Sequence, residues 1–252
     1  EGTGAVTLKI DGKTVTASIP SRPSFLGVAP SGVSLAEISA QVTGEGYEPS
    51  GEIRPIPLSP HPSALPAGLH QLLTAAVLCN GATLQQENGT WQIIGDPTEG
   101  ALLVAAAKAG LTKAELERWA PLDREVPFDA ERKMMTIVRR TEQGRMAYCK
   151  GAPDVLLKRC AACLTLDGRT EVLDDVHRQL ISEANASLAQ QALRVLGVAY
   201  RPLDQPASSD EEVEREQIFL GLIAMKEPWR AEAAEAVRRC RPDVVLMDVR
   251  MP

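Results

Sequence analysis

The sequence predicts an α+β fold, an antiparallel β-sheet flanked by helices, with a short partial α/β unit at the C-terminal end. Three observations carry that expectation. Residues 6–19, VTLKIDGKTVTASI, alternate apolar and polar side chains around Asp11-Gly12, which is a hairpin signal. Residues 133–151, KMMTIVRRTEQGRMAYCKG, read as two further antiparallel strands around Glu142-Gln143-Gly144. Segments with helical spacing and caps lie between and after these hairpins, and hairpins mixed with helices indicate α+β architecture.

The elements follow in order. Residues 20–35 are rich in Pro, Ser and Gly and read as loop. Five prolines between 54 and 66, in RPIPLSPHPSALP, exclude helix and central strand and predict a surface connection. AGLHQLLTAAVLCN (67–80) has helical spacing and stops near Asn80-Gly81. TWQIIG (90–95) is a short strand. DPTEGALLVAAAKAG (96–110) opens with Asp96 as cap, Pro97 at the first helical position and Glu99 three residues after the cap, and closes on Gly110. TKAELERWA is a short helix with Thr112 and Glu115 in a capping-box arrangement. After the second hairpin, APDVLLKRCA is a helix starting at its proline, and a long helix occupies about 174–192. A strand covers 194–200, an acidic loop surrounds SSDEEVERE, and IFLGLIAM (218–225) is a strand. A helix from Pro228 and a last apolar strand, DVVLM, complete the C-terminal strand–helix–strand.

Bulk properties bound the function. With 252 residues, 44% hydrophobic and 24% charged, the chain can bury a full core. A net charge of -6 with no long basic stripe argues against nucleic acid as a partner. Nothing approaches the roughly 18 apolar residues that cross a bilayer, so direct membrane contact by this chain is not expected, and neither is a secretory signal. Five cysteines, an odd number, suit the reducing cytosol, and Cys160 and Cys163 read as small residues at a helix end.

Four short stretches, far apart in sequence, could carry chemistry. Asp96–Glu99 holds carboxylates that could serve simply as helix caps. Phe128 is one of three phenylalanines and precedes Lys133 by five residues; core packing is its plainer reading. Lys150 and Gly151 end an apolar strand, where the lysine supplies a point charge and the glycine permits close backbone approach. Arg194 heads a strand, where a surface ion pair would explain it. Together they supply an aromatic face for a base, an acceptor for an exocyclic amine and cations for phosphates. Neither GxxxxGK[ST] nor GxGxxG after a strand is present, so the usual phosphate loops do not apply.

The stretches VTGEGYEPSGEI (42–53), LCNGATL (78–84), GDPTEGALL (95–103), VPFDAERKMMTIV (126–138), CKGAPDVLLKRC (149–160), LRVLGVAYR (193–201) and FLGLIAMKEPWRAEAAEAVRRCR (219–241) carry a family resemblance. In this order and spacing they resemble the nucleotide-binding (N) domain of P-type cation-transporting ATPases, in the branch that includes the calcium pumps. The resemblance implies a nucleotide-binding domain over 41–217 and ATP, as Mg-ATP, as the ligand. Phe128 would stack on adenine, Glu99 would meet its amino edge, and Met135 would pack beside the ring. Lys150 and Gly151 would line the inner wall, Lys133 would lie toward the phosphates, and Arg194 would reach the phosphate end. The implied partners are the phosphorylation and membrane domains of the same pump, and the implied location is the cytosolic face of a membrane.

The chain also departs from that pattern. In the family, phosphoryl passes to the aspartate of a DKTGT segment; here EGTGAVTL would place Glu1 at the nucleophile position and Gly2 at that of the lysine, as an altered segment or by chance. Residues 1–40 stay unassigned. The end, PDVVLMDVRMP, resembles the phosphoacceptor strand of a response-regulator receiver, with Asp248 as acceptor, although Glu227 alone cannot supply the acidic pair that a receiver needs. Residues 218–252 are thus expected to form a separate partial strand–helix–strand unit, phosphorylation-domain-like or receiver-like, in a fragment, fusion or chimera.

Overall fold

The computed structural model describes residues 8–10, 13–19, 38–42, 47–56, 65–165, 167–191, 193–205 and 209–225. Glu1, the 20–35 loop, the helix from Pro228, the strand DVVLM and Asp248 lie outside them. Among the described residues the fold is α+β, as expected. The main sheet has eleven strands, and its path runs β4-β3-β1-β2-β13-β12-β9-β8-β7. These are β1 (Leu8–Ile10), β2 (Lys13–Ile19), β3 (Ile38–Val42), β4 (Ile53–Ile56), β7 (Leu122–Asp129), β8 (Met134–Thr141), β9 (Gly144–Gly151), β12 (Arg194–Leu203) and β13 (Gln217–Met225). β10 (Cys160–Leu164) branches from β13 and carries β11 (Thr170–Val172). The sheet is mixed rather than wholly antiparallel, because β1–β3 and β10–β13 pair in parallel. A separate hairpin joins β5 (Thr83–Glu87) to β6 (Thr90–Ile94).

Alternation along the strands gives the sheet two apolar faces. Met135, Ile137, Tyr148, Val198 and Tyr200 belong to one cluster with α1 (Ala67–Leu78) and α2 (Pro97–Lys108). Met134, Cys149, Ala199 and Phe219 belong to the other, with α4 (Pro153–Arg159) and α5 (Asp175–Gln190). Nine of the twelve α1 residues are buried, which makes it a core helix packed against both α2 and the sheet. In α5 only Ile181, Ala184 and Leu188 are buried, a narrow stripe at helical spacing on a surface helix. Short α3 (Lys113–Trp119) and α6 (Asp210–Glu214) complete the set.

Local signals set several of these boundaries. Asp96 caps α2 by accepting from Thr98 N at 2.7 Å and Glu99 N at 3.1 Å, with Pro97 at the first turn. Thr112 donates from Oγ1 to Glu115 Oε2 at 2.6 Å and starts α3. Three expectations need correction. Cys160 and Cys163 lie within β10, which starts where α4 stops at Arg159, so only Cys160 adjoins a helix end. The proline-rich connection begins later than expected, because Pro55 lies inside β4; that strand is an edge, where a missing N–H costs no ladder bond. The acidic loop contains α6, whose first turn is capped by Ser209 Oγ accepting from Glu212 N. β13 itself runs between β12 and β2, hydrogen-bonded to both.

Candidate functional site

The candidate residues gather at one end of the sheet. β9 finishes at Lys150-Gly151, beside the start of β8, with Met135 paired to Lys150 and Met134 to Gly151. On the other side of β9, Val198 pairs with Lys150 and Gly197 with Gly151. β12 starts at Arg194, three residues before Gly197, so Arg194 lies beyond the end of β9.

Phe128 reaches this end through a β-bulge. Val126 pairs with Thr136 and Asp129 with Met134, so Pro127 and Phe128 together oppose the single residue Met135. Simple alternation from Val126 would have placed Phe128 opposite Met134, on the α4–α5 face. The extra residue instead leaves Pro127 and Phe128 opposite Met135, which pairs in turn with Lys150. Phe128 is 63% exposed, unlike a core phenylalanine, while Met135 on the neighbouring strand is buried. Leaving an aromatic ring in water forgoes about 1.5–3 kcal/mol of burial. Packing alone therefore does not account for it.

Glu99 enters from the first turn of α2. Lys150 Nζ donates to Glu99 Oε1 at 2.5 Å, and Gly81 N donates to Oε2 at 2.9 Å. Lys150 is buried, and its side chain is 7% exposed against 18% for that of Glu99, so this pair forms a half-dry wall. Lys133 sits at the β7–β8 turn with φ +52°, in the left-handed region uncommon for lysine. Its backbone carbonyl accepts from Ala152 N, and the residue itself is exposed. Arg194 is exposed as well. Burial alone would raise the Asp96 carboxyl, but hydrogen bonds from Glu99 N and Thr98, with the charge of Arg194, hold it below its ordinary 3.8. Asp96 and Arg194 thus feel one another across the α2 N-terminus.

Lys150 thus meets Glu99 by a hydrogen bond and Met135 by strand pairing, and Phe128 lies in the bulge opposite Met135. Gly151 and Lys133 meet through the β8 backbone, and Arg194 marks the far side, near Asp96. Sequence reasoning assigned no site role to Asn80 and Gly81. Asn80 Nδ2 donates to Glu99 O at 2.9 Å, and its Oδ1 accepts from Ala82 N, so the end of α1 braces the start of α2. Lys113 Nζ fixes the same loop by donating to Asn80 O and Ala82 O. In the sequence the Asn80-Gly81 pair is legible as a helix stop and as part of the LCNGATL stretch that carries the family resemblance. Buried Cys79 lies close by, and burial pushes its thiol up to about 11, so it stays protonated at neutral pH.

The depressed Asp96 carboxyl has a pH consequence. A carboxyl lower in the folded than in the unfolded state stabilises above the unfolded value, and that contribution is lost as pH falls through the folded one. Asp96→Ala is expected to cost about 1 kcal/mol at pH 7, as for other N-caps. Thermal melts of both proteins should converge as pH drops below 3.8.

Among the described residues, no helix is long and apolar enough to cross a membrane. Residues 68–232 match the family model described as P-type ATPase, cytoplasmic domain N. The chain is 37% identical over 207 residues to the "Calcium-transporting ATPase" of Bacillus subtilis, covering 80% of this chain and 23% of that protein. It is 36% identical over 202 residues to the "Probable cation-transporting ATPase F" of Mycobacterium tuberculosis, covering 79% and 22%. Over 261 residues it is 29% identical to the "Endoplasmic reticulum calcium ATPase srcA" of Aspergillus fumigatus, covering 90% and 27%. The chain thus spans about a quarter of the length of these relatives. The family match covers α1 through β13, the segments that assemble this end of the sheet, and the chain belongs to the P-type ATPase cytoplasmic N-domain family.

Proposed function

We propose that this chain binds ATP, as Mg-ATP, at the β7–β8–β9–β12 end of its sheet and presents it for phosphoryl transfer to an aspartate in another domain of a cation pump. One observation carries the reading. Phe128 is an exposed aromatic in the bulge opposite Met135, whose strand partner Lys150 donates to the Glu99 carboxylate.

Each residue then has a task. Phe128 offers its ring to the adenine, with Met135 packed below it. Glu99, an acceptor only, takes a hydrogen bond from the exocyclic amine of adenine and would meet a carbonyl oxygen in guanine unfavourably. Lys150 holds Glu99 in orientation through its hydrogen bond to Oε1, and Gly151 keeps the wall flat. Lys133 and Arg194, both exposed, lie where phosphates can be met as point charge and planar fork. Magnesium would travel with the phosphates and neutralise part of their charge. The phosphorylation and membrane domains of the same pump would be the partners, and the cytosolic face of a membrane the location.

Titration with ATP by calorimetry tests this. Base–aromatic stacking contributes about 1–3 kcal/mol, so Phe128→Ala should weaken ATP binding about 5- to 150-fold. Absence of binding at millimolar ATP, or equal binding by the variant, would refute the reading.

A further inference from the structure

The bulge that presents Phe128 is held from behind. Arg132 donates from Nη2 to the carbonyl of Pro127 at 2.7 Å, the residue directly before Phe128. Its Nη1 pairs with Glu214 of α6. Glu214 is 1% exposed, and its Oε1 also accepts from Thr136 Oγ1 at 3.0 Å. Within the turn, Asp129 Oδ1 accepts from Glu131 N and Arg132 N, and Asp129 O accepts from Lys133 N.

A carboxylate that deeply buried is costly unless its partners are well placed, and hydrophobic substitutes are often equally stable. Glu214 is therefore weak evidence of stabilisation and calls for another reason. α6 supplies a firm mount for it. Arg124 of β7 pairs with Asp210 at one end of α6, and Arg201 of β12 donates to the carbonyls of Glu212 and Arg215 at the other. Thr136 is the register partner of Val126, whereas Phe128 opposes Met135. The carboxylate thus grips β8 at Thr136, one register step along from the pair formed by Phe128 and Met135.

We infer that Arg132 and Glu214 are positioning residues for the nucleotide site: they lock the Pro127–Phe128 bulge so that the ring is held outward, ready for a base. This rests on the ATP reading, and acts through the Pro127 carbonyl. It ties the base platform to α6, a segment remote in sequence. The clamp adds no contact to the ligand; it removes the need to order the bulge upon binding.

Two measurements on the whole chain test it. Hydrogen exchange without nucleotide should show faster amide exchange at 128–133 in Glu214→Gln, with α1 and α2 unchanged. In ATP titrations, Glu214→Gln should weaken binding about 5-fold when Phe128 is present, the low end of a stacking contribution, and have no effect in a Phe128→Ala background. If Glu214→Gln does not fold, the Arg132→Gln, Glu214→Gln double variant leaves no unpaired charge and takes its place. Unchanged exchange, or an equal loss of affinity in both backgrounds, overturns the inference. Should the unaltered protein bind no ATP, the nucleotide reading fails by itself. Exchange at 128–133 then decides whether the clamp holds the bulge.

Discussion

Gly151→Ala is expected to destabilise this protein by about 3 kcal/mol or more, at the upper end of overpacking effects. A Cβ at Gly151 would stand 2.5 Å from the carbonyl oxygen of Lys133 and 2.6 Å from Met134 Cβ. Neither neighbour can retreat cheaply. Met134 is fully buried and pairs with Gly151 itself, while Lys133 O accepts the Ala152 N–H that turns the chain into α4. On its other side Gly151 pairs with Gly197, so the strand cannot shift sideways without disturbing β12. The site would be damaged together with the fold, because Lys150 precedes Gly151 and Lys133 carries the obstructing oxygen. Urea unfolding followed by circular dichroism measures the loss. A midpoint equal to that of the unaltered protein would mean that β8 and β9 are not this closely apposed.

Lys150→Met should cost about 2–3 kcal/mol of stability, somewhat less than breaking a fully buried ion pair. The substitution keeps the stem volume and removes the ammonium that holds Glu99 Oε1. The Glu99 carboxylate then keeps Gly81 N as its remaining partner among these bonds, in a setting where its side chain is only 18% exposed. Adding Glu99→Gln should recover most of the loss, because the stranded charge rather than the missing attraction carries the penalty. Unfolding midpoints of the single and double variants decide this, and a double variant no more stable than Lys150→Met would contradict it.

Much of this architecture could be read locally. The α2 start was legible because Asp96, Pro97 and Glu99 each satisfy a helix-end requirement within four residues. The β8–β9 hairpin was legible because its apolar run is bounded by a turn carrying Gly144. β7 was not read, since Pro127 and the bulge interrupt alternation in LDREVPFD just where Phe128 lies. β5, with the sequence TLQQE, is too polar to resemble a strand; only Asn88-Gly89, both at positive φ, marked its hairpin. The site itself followed a similar division. Residue types suited to a base and phosphates could be picked out along the chain, and the family resemblance gave them roles. Asn80, Arg132 and Glu214 were passed over, because their work depends on pairings of 19, 82 and 78 residues' separation that no local pattern encodes.

Nuclear Overhauser contacts between ATP and selectively labelled Phe128 test the central proposal most directly. The expected spectrum has cross-peaks from the Phe128 ring to adenine H2 or H8, with ring-current shifts at Met135. Nucleotide-dependent shifts confined to other parts of the sheet, with the Phe128 ring unmoved at saturating ATP, would contradict it.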